Sequence, residues 1–376
     1  MKRPSLLPVY LSCLGYGVQA GAAMPLVPLA LEHRGIDTVT IGLVEAMWGI
    51  GMIATAHRIP AVAAKVGAVR LVCGALVASA ALAVAFAYTT SLPLWFVLSF
   101  LMGMVGGVPW VVSEIWINLV VDEERRGRAV AIYVALMATG MAAGPLALQL
   151  VGVYGPRPFL ACAALALLVA LPLLWSGNSA PAIAPSKEGG FARILLLVPA
   201  LLLGALASGL GEQAAFAFLP IYGLRSGVPA ETGVLWLSAF VIGNIALQWP
   251  IGWLADHLDR RLVLAGCALA SAALTACLPM LDVKSHAILV LLVAWGGISF
   301  AIYSVGLALL GQRFKGDDIA RANTALTSIY TLGGMIGPPI AGTALDLVGQ
   351  PGFGLSLAAC YAMAGVGALL ALRRPG

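Results

Sequence analysis

Three carboxylates, Glu45, Glu114 and Glu212, sit deep inside apolar runs that carry no Lys or Arg to neutralise them. A carboxylate taken out of water without a partner is costly and tends to hold a proton or a cation, so an acid inside hydrocarbon is a candidate proton-coupling site. The plain alternative is a neutral Glu hydrogen-bonded to a neighbouring helix, which suits Glu45 best. Around Glu114, the residues Gly103, Gly106, Gly107, Trp110, Glu114 and Asn118 recur at three- and four-residue spacing. That places them on one helical face, small at one end and polar at the other. Tyr16, Gln19, Trp110, Asn118, Gln213 and Tyr303 are the candidate substrate-binding residues; interhelical hydrogen bonding is an equal reading for Tyr16 and Gln19. Trp116 points elsewhere and is expected to pack.

The elements that must position these residues follow from composition. Of 376 residues, 61% are hydrophobic and 10% charged, against about 25% charged in a soluble domain. Such a chain belongs in a lipid bilayer. Apolar runs of spanning length occupy Ser5 to Ala30, Val39 to Arg58, Ala68 to Tyr88, Leu92 to Val120, Ala129 to Val153 and Pro158 to Trp175. Six more follow: Ile194 to Tyr222, Thr232 to Ala255, Leu262 to Leu281, Ala287 to Gln312, Ala322 to Leu345 and Phe353 to Leu372. Lipid offers backbone groups no hydrogen-bonding partner, so these runs are predicted to be helices, which makes the protein all-α and membrane-integral.

The halves repeat. Gly17, Pro28, Gly35 and Gly51 return 192 residues later as Gly209, Pro220, Gly227 and Gly243. By the fifth run the offset is 193, where Arg128, Gly140 and Gly144-Pro145 return as Arg321, Gly333 and Gly337-Pro338. A near-constant offset over several segments is the mark of a duplicated unit, and duplicated halves in a membrane chain point to a transporter. The predicted organisation is a six-helix bundle over 1–175, a linker over 176–192 and a second six-helix bundle over 193–376. By the same repeat, Glu114 and Glu212 come from different halves.

Charge gives the orientation. With both termini inside, seventeen Lys and Arg fall on the cytoplasmic side and four (Arg34, Arg157, Arg225 and Lys284) on the other. The net charge of +5 is therefore a topology signal, and no nucleic-acid partner is expected. The first run continues through Pro28 with no convincing cleavage site and reads as a spanning helix, not a signal peptide. Six cysteines sit singly in apolar segments with no C-x-x-C pair and no His at ligand spacing. They read as small buried hydrophobes; no metal site, disulfide or cofactor is expected.

The loop after the eighth run reads Gly252-Trp253-Leu254-Ala255-Asp256-His257-Leu258-Asp259-Arg260-Arg261. It resembles the G-x-L-A-D-R-x-G-R-R loop of the major facilitator superfamily, with His257 and Asp259 replacing an Arg and a Gly. The resemblance implies a cytoplasmic gate built from Gly252, Asp256, Arg260 and Arg261. The first-half copy keeps Lys65 and Gly67, but Ala64 replaces the acid, which implies a weaker gate there. Trp110-Val111-Val112-Ser113-Glu114 and Gln248-Trp249-Pro250-Ile251-Gly252 look most like the bacterial YcaD-like branch. Ser99 stands where drug antiporters of the superfamily carry an Arg, and Ala147 and Leu148 replace a Gly pair of their helix-five motif.

The resemblance implies two pseudo-symmetric six-helix bundles of twelve transmembrane helices and secondary active transport by alternating access. The expected setting is a bacterial inner membrane, multi-pass, with both termini cytoplasmic. The expected partners are the lipid bilayer, protons and a small neutral or cationic solute, with the chain acting as a monomer. Alternatives are an uncoupled facilitator, a drug/proton antiporter and a copper importer using Met137 and Met141. A membrane sensor or enzyme is disfavoured, since there is no soluble domain, H-E-x-x-H, G-x-S-x-G or phosphate loop.

Overall fold

The computed structural model describes residues 6–174, 199–314 and 317–372; the predicted linker 176–192 and both chain ends lie outside them. Among the described residues there is no strand. The first half comprises α1 (Leu7–Ala23), α2 (Leu26–His33), α3 (Thr38–Ala56), α4 (Ile59–Val66), α5 (Ala68–Tyr88), α6 (Leu92–Val120), α7 (Glu123–Val151) and α8 (Pro156–Leu174). The second comprises α9 (Pro199–Arg225), α10 (Ala230–His257), α11 (Arg260–Cys277), α12 (Ala287–Arg313), α13 (Asp317–Val348) and α14 (Gln350–Leu372).

Eleven stretches of the described residues are long and apolar enough to cross a membrane. The run predicted over Ala322 to Leu345 is helical, within α13, but is less apolar because Asn, Thr and Ser residues occupy its first turns. The first predicted run is interrupted at Met24-Pro25 and resumes as α2, since proline has no N–H to donate. The loop expected between the second and third runs is mostly the short helix α4. The turn into α5 is made by Gly67 alone, at φ +94°, where a Cβ would be strained. Not every cysteine is buried: Cys13, Cys162 and Cys267 are, whereas Cys277, at the end of α11, is exposed.

The chain divides into two compact units, one formed by residues 1–30 and 47–187, the other by 31–46 and 188–376. In the first, α1 packs on α7 and α5 on α8. In the second, α9 packs on α13 and α11 on α14. These are the same pairs one repeat apart. The helices approach so closely that backbone meets backbone: a Cβ on Gly103 would collide with the Trp48 carbonyl, and one on Gly296 with the Phe240 carbonyl. Gly17 against α7 and Gly209 against α13 repeat the arrangement. Helices that gain no hydrophobic advantage from leaving lipid associate through such close contact.

Residues 31–46 are fastened to the second unit by polar contacts. Arg225 forks onto Glu32, Nε to Oε1 at 2.7 Å and Nη2 to Oε2 at 3.1 Å. It also lies 3.6 Å from Asp346 Oδ1. The Thr38 hydroxyl sits 2.8 Å from the Gly342 carbonyl and 2.5 Å from Asp346, which also accepts the Val39 N–H at 3.1 Å.

Candidate functional site

Glu212 is fully enclosed within the second unit, 1% exposed on α9. Its Oε1 lies 2.7 Å from the hydroxyl of Ser208, one turn earlier, and its Oε2 accepts the Tyr330 hydroxyl of α13 at 2.5 Å. Ser208 Oγ is also 2.9 Å from the Ser299 carbonyl of α12. Among the described residues no Lys, Arg or His pairs with Glu212. Tyr330 packs against Tyr303 with ring centres 4.9 Å apart and planes tilted by 52°, and the Tyr303 hydroxyl meets Thr327 Oγ1 at 2.9 Å. Two hydrogen bonds bridged by a ring contact thus lead from Thr327 through the two tyrosines to the buried acid. Gln213, beside Glu212, is half-buried with its side chain over Gly334.

The first unit holds a different arrangement. On α6, Trp110, Glu114 and Asn118 are all exposed, and the Trp110 indole stands by Glu114. The Gly end of this face behaves otherwise: Gly103 and Gly107 are buried against α3. Trp116 is buried in the core, as its position on the other face predicts. Tyr16 donates to the Gly106 carbonyl at 2.5 Å, and Gln19 Nε2 reaches Ser79 Oγ at 3.5 Å; both therefore tie helices together. Glu45 is half-buried on α3 and makes no hydrogen bond or ion pair among the described residues. Met137 is buried in this unit's core and the partly buried Met141 packs against it; among the described residues no cluster of three His, Cys, Asp or Glu could hold a metal.

The loop carrying the gate motif is built around Arg260. Its Nη2 meets Asp256 at 2.8 Å, Nε donates to the Ala255 carbonyl at 3.1 Å and Nη1 to the Ala308 carbonyl at 3.0 Å. One guanidinium therefore joins the end of α10 to the C-terminal turns of α12, the helix end at which a cation is favoured. Asp259 caps α11 through the Arg261 N–H at 2.8 Å, so the Asp that departs from the usual glycine has a structural task. Arg261 and Gly252 are exposed. In the first-half copy Lys65 is exposed and no described acid pairs with it.

The loop motif and the paired helix crossings are matched by family membership, because the profile of the Major Facilitator Superfamily fits residues 9–237 and 201–376. The chain belongs to the Major Facilitator Superfamily. It is a multi-pass membrane protein of a transporter family with the twelve-helix fold. Its relatives include the uncharacterized transporter YcaD of Escherichia fergusonii, 26% identical over 316 residues covering 83% of this chain and 81% of that one. The resemblance read from the fourth and eighth runs is thereby borne out. Another relative, YfkF of Bacillus subtilis, is 27% identical over 66% of this chain but only 65% of its own length. Crystal structures of the nucleoside transporter NupG superpose with TM-scores of 0.81 and 0.78 at 15% identity, covering 98% and 100% of this chain and 99% and 100% of those. Similarity at that level shows the shared fold.

Ser208 and Tyr330, which hold Glu212, were not among the residues read from sequence. The repeat contains the signal. Ser208 occupies the position of Tyr16 at offset 192, and Ser299 that of Gly106 at offset 193. The Ser208 contact to the Ser299 carbonyl is therefore the second-half copy of the Tyr16 bond to Gly106. Tyr330 replaces Met137 of the other half, a polar-for-apolar exchange on a duplicated helix.

Proposed function

We propose that the protein is a proton-coupled secondary transporter that moves a small neutral or cationic solute across a bacterial inner membrane by alternating access. The Lys and Arg count supports cytoplasmic termini, and Asp256, Arg260 and Arg261, with the weaker Lys65–Gly67 copy, serve as the cytoplasmic gate. Glu114, exposed beside Trp110, is the second candidate coupling acid and Glu45 the third. Trp110, Asn118, Gln213 and Tyr303 remain the proposed substrate-binding set, while Tyr16 and Gln19 support it through the helix contacts they make.

The observation that carries the coupling reading is the hydrogen-bond count around Glu212. Ser208 has one hydroxyl proton and two acceptors, the Ser299 carbonyl and Glu212 Oε1. When Glu212 is protonated it donates to Ser208, Ser208 donates to Ser299 and Tyr330 donates to Oε2, so every group is satisfied. When Glu212 is ionised, the Ser208 proton turns to the carboxylate and the Ser299 carbonyl keeps its place in the helix ladder. The cluster thus has two self-consistent arrangements that differ by one proton, which is what a coupling site requires. The absence of a basic partner among the described residues favours solutes that are not anions.

The test is solute flux in proteoliposomes with and without an imposed pH gradient, using a neutral or cationic solute that stabilises the purified protein in a thermal-shift screen. Glu212→Gln imitates the protonated acid. It is expected to retain solute exchange and to lose gradient-driven accumulation; Glu114→Gln does likewise if it shares the coupling, and Glu45→Gln is the mildest. Gradient-driven accumulation in both Glu212→Gln and Glu114→Gln would remove these acids from the coupling and move Glu45 to the front; absence of accumulation by the wild-type protein itself would put the uncoupled facilitator first.

A further inference from the structure

The duplicated helices α7 and α13 share their Arg-Ala start and their Gly-x-x-x-Gly-Pro, yet one face differs. In α13 that face carries Asn323, Thr324, Thr327, Ser328 and Thr331; the equivalent residues of α7 are Val130, Ala131, Val134, Ala135 and Ala138. The fold opens the face in both units: Ala131, Val134 and Ala135 are exposed, as are Asn323, Thr324 and Thr327, with Ser328 and Thr331 half-buried. Thr331 lies ten residues beyond Arg321, a rise of about 15 Å along a helix, which is half of a hydrocarbon layer of ~30 Å. With Arg321 at the cytoplasmic boundary, as the Lys and Arg count predicts, the polar face runs to the middle of the bilayer.

The hydroxyls of Thr327, Ser328 and Thr331 donate back to the carbonyls of Asn323, Thr324 and Thr327. Their oxygens keep free acceptor capacity. The Asn323 side chain, exposed, has no hydrogen bond among the described residues. Tyr303 adds an aromatic ring joined to Thr327, and Tyr330 connects that ring to Glu212. Among the described residues the one charged side chain by this face is Arg321, exposed at its first turn, and Glu212 is enclosed behind it.

We infer that this face of α13, with Tyr303, is the solute-contacting wall of the second unit, and that it takes a small uncharged solute bearing several hydrogen-bonding groups and one flat face. The amide and hydroxyls meet the polar groups, the Tyr303 ring meets the flat face, and Tyr330 passes occupancy to Glu212. An ionic solute held between Asn323 and Thr331 would need a counter-charge that this stretch of the wall lacks. The inference rests on the chain being a solute transporter and narrows the solute to the neutral class; it does not depend on Glu212 carrying protons.

The experiment measures the rate at which a water-soluble trimethylammonium methanethiosulfonate labels single cysteine variants in nanodiscs, with labelling of the wild-type cysteines subtracted. Thr327→Cys and Ser328→Cys are expected to react at least about tenfold faster than Val134→Cys and Ala135→Cys, since thiol reactivity follows access to water. Equal rates would overturn the aqueous wall. The solute class is read from protection of Thr327→Cys by nicotinamide and myo-inositol, against nicotinate, glucuronate and choline. Slowing by an uncharged probe but by no charged one is the expected result; protection only by a charged probe, or by none of the five, overturns the assignment. Glu212→Gln is expected to leave the protection in place. Intact protection together with unchanged gradient-driven accumulation in that variant would therefore sink the coupling reading and leave the wall standing.

Discussion

At the scale of single residues, the chain separates acids whose partners favour the ionised form from acids whose partners suit either protonation state. Asp37 belongs to the first kind. Its carboxylate accepts the Thr40 N–H and the Thr40 hydroxyl, each at 2.8 Å, and these bonds hold the Asp37 carboxyl below the usual carboxylate range. An acid depressed on folding contributes stability above its unfolded pKa and loses it as pH falls through the folded value. Asp37→Ala is therefore expected to lower stability near neutral pH by about 1 kcal/mol, as loss of a helix cap does. The difference from wild type narrows below about pH 4. Thermal unfolding of the two proteins in detergent, followed against pH, measures it. Glu212 belongs to the second kind: its partners are hydroxyls that accommodate either protonation state.

At the scale of elements, the loop proposed as the gate joins two helix ends. Arg260 reaches three acceptors on two helices from one planar group, which a lysine cannot reproduce. Arg260→Lys is expected to slow turnover even though the charge next to Asp256 is kept. Asp256→Asn is expected to slow turnover while leaving solute binding nearly intact. Initial transport rates set against thermal-shift binding separate the two effects, and wild-type turnover in both variants would sink the gate. In the first-half copy, Ala64→Asp supplies the missing acid beside Lys65 and is expected to favour the state in which the cytoplasmic gate is closed.

On the scale of the whole molecule, the division into compact units does not follow the sequence midpoint alone, since residues 31–46 group with the second unit. The Glu32–Arg225–Asp346 cluster with Thr38 gives the reason. Glu32 and Arg225 are 13% and 31% exposed, so the pair is partly shielded from solvent and bidentate, the geometry in which an ion pair counts. A double-mutant cycle with Glu32→Gln and Arg225→Gln is expected to give a coupling of about 1 kcal/mol, read as melting temperatures in detergent and reduced by added salt. Arg225→Glu is expected to be the most damaging single change, because it sets three acids together.

Much of this was legible before any coordinates. Hydrocarbon forces helices on any spanning run, so composition and run length determined the class and most boundaries. The duplicated glycines marked the crossings of α1 with α7 and of α9 with α13, because close backbone approach tolerates no Cβ. The gate motif showed Asp256 and Arg260 as sequence neighbours, and the turn at Leu258-Asp259 between α10 and α11 brings them together. What only the tertiary structure decided is which residue far along the chain meets which polar group. Glu212 reads the same in sequence whether it faces lipid, a cavity or Tyr330, 118 residues away. Tyr16 and Gln19 turned out to tie helices together, and Glu32, Arg225 and Asp346 converge across more than 300 residues of sequence. Local periodicity determines the face of a helix on which a side chain lies; the helix packed against that face is set by the packing of the whole unit.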